Sequence, residues 1–310
     1  MGEAAPFFEG FAEGPPGGRA LWVHAEDGVR IRVGLWPGGA RGTVLLFPGR
    51  TEYIEKYGRA AADFAARGYA TAVPDWRGQG LADRLLPDRR TGHVDSFADY
   101  RRDARALVTA VRAAGLPEPY HLVAHSMGGA IGLGALHDAL PVRSAVFTGP
   151  MWGIAIPVHK RPLAWALSWS ARRVRLGHAN VPGTAPGSHV LEAGFAGNML
   201  TTDAEMFDYM RRQITAQPEL ALGGPSLHWL HEALVETRRL QRLSPPPVPA
   251  VTFLGTRERI VDTRPIRALM GRWADGRLEI VDDAEHEVLM ESPAIRRRVF
   301  DMAAELFAGA

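Results

Sequence analysis

The stretch Tyr120-His121-Leu122-Val123-Ala124-His125-Ser126-Met127-Gly128-Gly129 decides how this chain is read. A nearly all-apolar run, Tyr120–Ala124, ends at a serine, and a helix-like pattern, Met127–Leu140, starts directly after it. A short apolar run suits a strand covered on both faces, as in a parallel sheet. A strand that reverses straight into a helix forces the residue at the bend into a strained backbone conformation. The residues two before and two after the bend must then be small. Ala124 and Gly128 meet that requirement around Ser126. The helix start also offers free N–H groups and a positive dipole end to a developing oxyanion.

The same texture extends outward from this bend. Thr43–Phe47, Tyr69–Val73 and Ser144–Thr148 are further apolar runs, with helical patterns at Glu55–Arg67 and Phe97–Ala114 between them. Upstream, Ala20–Ala25 and Val29–Trp36 alternate around Glu26-Asp27-Gly28, a hairpin signal. The alternation of strand and helix stops at Gly149-Pro150 and resumes with Val248–Gly255, a helix over Thr263–Trp273, the strand Arg277–Val281 and a last helix from Pro293. This pattern predicts an α/β architecture: a mostly parallel central sheet with helices on both faces, assembled from residues 1–150 and 246–310. Residues 151–245 are then an inserted helical cap, closed by Ser244-Pro245-Pro246-Pro247.

Composition narrows the chemistry. With 310 residues, 46% of them hydrophobic, the chain can bury a full core without staples. Its cysteine count of 0 excludes disulfides, thiolate metal sites and a cysteine nucleophile. A formal charge of +2 is too small to announce nucleic-acid binding. Nearly all the basic residues are arginine; Lys56 and Lys160 are the only lysines. The start of the chain lacks the pattern of a secretory signal, and no apolar run approaches the roughly 20 residues of a membrane span. A cytoplasmic protein is the expectation.

A serine hydroxyl is a weak nucleophile until a base takes its proton, and that base needs an acid to orient it. On a sheet of this kind the three follow in the order serine, acid, histidine. His286 lies in the loop after the last strand and is the expected base. Glu258 and Asp262 compete for the acid. Glu258 stands three residues past Gly255 at a strand's carboxyl end, where functional groups of such sheets collect. Asp262 fits equally as the cap of the next helix, so Glu258 is preferred and Asp262 stays open. The backbone amides of Met127 and Arg50 are the expected oxyanion donors, Arg50 from the loop after the first central strand. No cofactor or metal is required. His228, His231 and Glu232 make a weak metal candidate, with packing as their default role.

These residues resemble a known group. Pro48-Gly49-Arg50-Thr51-Glu52 with Tyr57 is similar to the HG-x-x-E…Y oxyanion segment of monoacylglycerol lipases, with Pro48 where they carry His. Asp75-Trp76-Arg77-Gly78-Gln79-Gly80 resembles their D-x-RG-x-G turn, and His125–Gly129 matches their elbow. The bacterial lysophospholipase branch is nearer still, echoed at Pro48–Tyr57, Arg77–Arg84, Gly92–Tyr100, Pro150–Ile154, Gly223–Trp229 and Glu258–Asp262. The resemblance implies an α/β-hydrolase fold with a helical cap, a catalytic acid at Glu258, and a serine hydrolase acting on glycerolipids with one acyl chain. The lysophospholipase reading leads. Monoacylglycerol lipase or a general long-chain carboxylesterase follows, then an acyltransferase or an aminopeptidase.

Substrate choice belongs to the cap. Trp165 and Trp169 share a helical face that ends in Arg172, Arg173 and Arg175, which suits either an acyl-chain tunnel or peripheral contact with a membrane. Arg50, Arg77 and the cap arginines are candidates for a substrate phosphate. Glu192, Asp203, Glu205 and Asp208 are the carboxylates a peptidase would need for a substrate amine.

Overall fold

A computed structural model describes residues 2–184 and 187–310. Nine strands form one sheet: β1 (Glu3–Ala5), β2 (Arg19–His24), β3 (Arg30–Trp36), β4 (Thr43–Phe47), β5 (Ala70–Asp75), β6 (Tyr120–His125), β7 (Ala145–Thr148), β8 (Ala250–Gly255) and β9 (Gly276–Val281). Their order is β1-β2-β3-β5-β4-β6-β7-β8-β9. The first three are antiparallel, and pairing is parallel from β5 through β4 to β9. Period-two alternation sorts the core: Leu45 and Phe47 of β4 face one apolar layer, Val44 and Leu46 the other.

The helices are α1 (Glu9–Ala12), α2 (Gly58–Ala65), α3 (Asp99–Ala113), α4 (Met127–His137), α5 (Arg161–Arg173), α6 (His189–Glu192), α7 (Ala204–Ala216), α8 (Leu227–Leu240), α9 (Thr263–Met270) and α10 (Pro293–Gly309). α3, α4 and α9 bury Leu107, Ile131 and Ile266 on one face of the sheet. α2 and α10 bury Phe64, Phe300 and Phe307 on the other. Every strand and helix read from the sequence is present, with ends shifted by a few residues. This is the α/β-hydrolase fold.

Two local features depart from the reading. The helix expected over Glu55–Arg67 opens as a 3₁₀ turn, Ile54–Tyr57, before α2 begins. The Asp75 carboxylate takes the Ile54 amide at 2.9 Å, and the Ala12 carbonyl packs where a Cβ on Gly58 would stand. The N-terminal segment, in which no element was read, supplies β1 and α1. β1 pairs with β2, and Tyr209 of α7 donates to the Ala12 carbonyl at 2.6 Å.

β5 and β6 flank β4 on opposite sides, so the strand order reverses there and a crevice opens at the carboxyl ends of β4 and β6. Among the described residues, the segment between β7 and β8 adds no strand to the sheet and contributes α5 to α8. It bridges to the core through Gly92–Pro225 and Ile154–Val261. This brings it over the crevice.

Candidate active site

Ser126 stands between β6 and α4 at φ 51°, ψ −117°, a strained left-handed conformation. Three backbone bonds hold the bend: Ser126 N–H to Thr148 O at 3.0 Å, and the amides of Gly129 and Met151 to Ser126 O at 2.9 and 2.8 Å. Gly128 is required because any Cβ there would run into the Phe47 carbonyl. Ser126 lines a cavity of about 370 Å³ between the sheet's carboxyl edge and the inserted segment. That volume lies within the usual range for small-ligand sites.

His286 lines the same cavity. Its Nδ1 lies 2.6 Å from Glu258 Oε2, both side chains being almost fully buried. The other Glu258 oxygen accepts from the amides of Ile260 and Val261 at 2.7 and 3.0 Å. Gly149, at φ 47°, gives this pair its room: a Cβ there would stand 2.9 Å from His286 Nδ1 and 3.1 Å from Glu258 Oε2. No hydrogen bond joins Ser126 to His286 among the described residues, as is common before substrate closes such a site. Burial opposes the imidazolium of His286, but Glu258, then Glu287 and Glu52, outweigh it and raise its pKa above 6.5. Burial likewise opposes charge on Glu258, and the bond to His286 reverses the balance, holding its pKa low.

Asp262 is elsewhere engaged. It caps α9 by accepting from Arg264 N at 3.1 Å and pairs with Arg161 and Arg264 at 2.6 and 2.7 Å. Arg50 also borders the cavity, and among the described residues neither its amide nor that of Met127 finds an acceptor.

A buried polar cluster, to which the sequence reading assigned no role, lies beneath these groups. Lys56 Nζ lies 2.6 Å from both Glu52 and Glu287. Glu52 also accepts from the Gly49 amide and the Tyr57 hydroxyl. His125, next to the serine, turns Nδ1 to Thr148 O at 3.0 Å and leaves Nε2 unpartnered, 3.5 Å from Glu52 and 3.7 Å from Glu287. The cluster thus ties the loop after β4, the elbow and the loop carrying His286. Burial raises both carboxyls. Lys56, with the Tyr57 hydroxyl, pulls Glu52 down to about 2, whereas burial and the neighbouring Glu52 push Glu287 up to about 7. Burial lowers His125 to about 3, so it is neutral. Glu52, His125 and Glu287 present ligand atoms within 4.8 Å of one another, the one such triad among the described residues, but the Lys56 ammonium already supplies the cation there. Two signals were available: the Glu52…Tyr57 spacing of the oxyanion segment, and Lys56, one of two lysines in a chain otherwise supplied with arginine.

Other expectations fall outside this cavity. Trp165 packs edge-on against His231 and borders a separate cleft, while Trp169 lies exposed under Arg173. α5 turns only Ser168 and Ala171 fully inward, and none of its residues borders the Ser126 cavity. His228 contacts the Asp95 carbonyl and Glu232 pairs with Arg172, so the weak metal candidate dissolves into packing and ion pairs. Asp203 caps α7, Glu205 and Asp208 pair with arginines, and Glu192 is exposed; none of the four borders the Ser126 cavity.

Comparison with known proteins agrees with this geometry. The family described as "Serine aminopeptidase, S33" matches residues 38–293. The "Probable lysophospholipase L2" of Haemophilus influenzae is 30% identical over 304 residues, spanning 96% of this chain and 93% of that protein. The "Lysophospholipase L2" of Escherichia coli is 31% identical over 262 residues, 82% of this chain and 76% of that one. Among solved structures, a soluble variant of monoglyceride lipase from Saccharomyces cerevisiae superposes with TM-score 0.72 at 19% identity, covering 93% of this chain and 94% of the other. A monoacylglycerol lipase from Paleococcus ferrophilus gives 0.69 at 16% identity, covering 90% and 99%. At those identities the two structures speak for the fold. The matched length and the elbow serine together place the chain in the serine aminopeptidase S33 family of α/β-hydrolases.

Proposed function

We propose that the protein is a serine hydrolase that cleaves the carboxylic ester of a glycerolipid carrying one acyl chain, a lysophospholipid first and a monoacylglycerol second. Ser126 Oγ attacks the ester carbonyl as His286 takes its proton, and Glu258 holds the imidazole and steadies the imidazolium. The Arg50 and Met127 amides receive the oxyanion; losing one such donor costs about 3–4 kcal/mol of transition-state stabilisation. His286 then protonates the departing alcohol, and water releases the fatty acid from the acyl-serine. Residues 151–245 act as a cap over the site.

The observation that carries this reading is one cavity shared by a strained serine and a carboxylate-held histidine. Its lining includes the apolar Val190, Met199, Leu200, Met210, Ile214 and Leu222, which suit an acyl chain. The lysophospholipase L2 relatives support the same substrate class. Turnover of lysophospholipids, monoacylglycerols and short nitrophenyl esters by wild type and by Ser126→Ala tests it. Preference for long single-chain lipids, abolished in the variant, is expected; activity surviving in Ser126→Ala would refute it.

We further propose that the cap rests on a lipid surface. Among the large apolar residues that lie exposed, seven fall between positions 158 and 195, including Val158 at 68%, Leu163 at 66% and Trp169 at 49%. Lys160, Arg173 and Arg175 lie among them, as an anionic interface favours. No described helix is long and apolar enough to cross a membrane.

A further inference from the structure

Arg50 lines the cavity, and its guanidinium reaches from there to Gly223, another lining residue, with Gly92 and Trp229 behind it. One terminal nitrogen donates to the Gly223 carbonyl at 2.8 Å, and Cζ lies 5.6 Å from the centre of the Trp229 ring. Among the described residues no carboxylate pairs with it, and the bond to Gly223 is the one its side chain makes. Burial lowers its pKa to about 10, which leaves it a cation at neutral pH. The two carboxylates that face the same cavity, Glu52 and Glu287, are both taken by Lys56.

The other arginine candidates differ. Arg77 is gripped by Asp27 at 2.7 Å and by Asp103 at 2.7 Å, and Arg161 and Arg172 of the inserted segment pair with Asp262 and Glu232. None of these borders the Ser126 cavity. A cation drawn partly out of water without a counter-charge is costly unless an anion completes it. The planar fork of a guanidinium suits two oxygens of one tetrahedral anion. In Arg50 that fork sits one side chain away from the amide proposed to receive the ester oxyanion. In a lysophospholipid, the phosphate sits a short glycerol chain away from the ester carbonyl.

We propose that the Arg50 guanidinium binds the headgroup phosphate of the substrate, so that the enzyme selects single-chain phospholipids over neutral monoacylglycerols of the same chain. This rests on the ester-hydrolase reading of the cavity, and the test separates the two. The kinetic measurement is kcat/KM for lysophosphatidylethanolamine divided by that for a monoacylglycerol of equal chain length, a ratio that a general loss of folding or of oxyanion donation leaves alone. Arg50→Met should lower this ratio about 10- to 100-fold, the scale of a charge-assisted bond. Arg50→Lys, which keeps charge without the fork, should fall between.

Calorimetry on the Ser126→Ala protein measures binding without turnover. It should bind the lysophospholipid more tightly than the monoacylglycerol by a similar factor, and that advantage should vanish when Arg50→Met is added. Inorganic phosphate alone should bind far more weakly than the lipid. Equal losses on both substrates would overturn the proposal, because Arg50 would then only brace the Gly223 loop. Equal binding of the two lipids would overturn it too, as would phosphate binding as tightly as the lipid. If the binding preference held while the wild type hydrolysed neither lipid, the phosphate site would stand and the hydrolase reading would fall.

Discussion

Glu258 and Asp262 stand four residues apart with similar chemistry, and their partners separate them. Glu258 gives one oxygen to His286 and the other to two backbone amides, whereas Asp262 is spent on a helix cap and two arginines. Glu258→Gln is expected to lower the acylation rate about 10²- to 10⁴-fold, the range seen when such an acid is neutralised or a general base is lost. Asp262→Asn should leave that rate within a few-fold and cost at most about 1 kcal/mol of stability through the lost charge pairing with Arg161 and Arg264, because Asn caps a helix about as well as Asp. Stopped-flow acylation and denaturant melts read the two effects, and a collapse of acylation in Asp262→Asn alone would reverse the assignment. The pH profile carries the sign of the same interaction. Only neutral His286 accepts a proton, and Glu258 favours the imidazolium, so kcat/KM should rise with pH through a midpoint above 6.5. In Glu258→Gln the imidazolium loses that support, and the midpoint of the residual activity should move to lower pH. A move upward would mean that Glu258 does not stabilise charge on His286. At Gly149, a methyl would press on His286 and Glu258 alike, so Gly149→Ala should cost about 100-fold in kcat by displacing the pair.

At the scale of elements, the apolar runs and the elbow were legible because each is local: Thr43–Phe47 reads as a buried strand and is β4. The split at Gly58 was not, because it depends on Ala12, distant in sequence and met only in the fold. β1 escaped notice for a similar reason, as Glu3-Ala4-Ala5 carries no strand pattern and is held by its partner β2. Spacing announces only the Glu52…Tyr57 part of the Lys56 cluster, whose other members, His125 and Glu287, come from the end of β6 and the loop after β9. It is nonetheless the tie among the three loops that bear the chemistry. Lys56→Met leaves Glu52 and Glu287 facing each other without a cation, and a loss of about 3–5 kcal/mol is expected. Replacing Glu287 by Met as well should restore part of it. Urea unfolding checks this, and a double variant no more stable than the single one would contradict it.

For the whole molecule, most of the large apolar residues that lie exposed among the described residues fall between positions 158 and 195, with several cations among them. Replacing Leu163 and Trp169 by Asp should reduce sedimentation with anionic vesicles, with little effect on hydrolysis of a soluble nitrophenyl ester, since neither side chain borders the Ser126 cavity. Equal vesicle binding by both proteins would remove the cap from the interface. Beneath that surface everything depends on one hydroxyl held at a bend in the chain. Labelling with a fluorophosphonate probe, mapped to the modified residue by mass spectrometry, tests it most directly. The probe should attach at Ser126 in the wild type, fail in Ser126→Ala and slow greatly in His286→Ala. An unlabelled wild type, or a label on any other residue, would contradict the account.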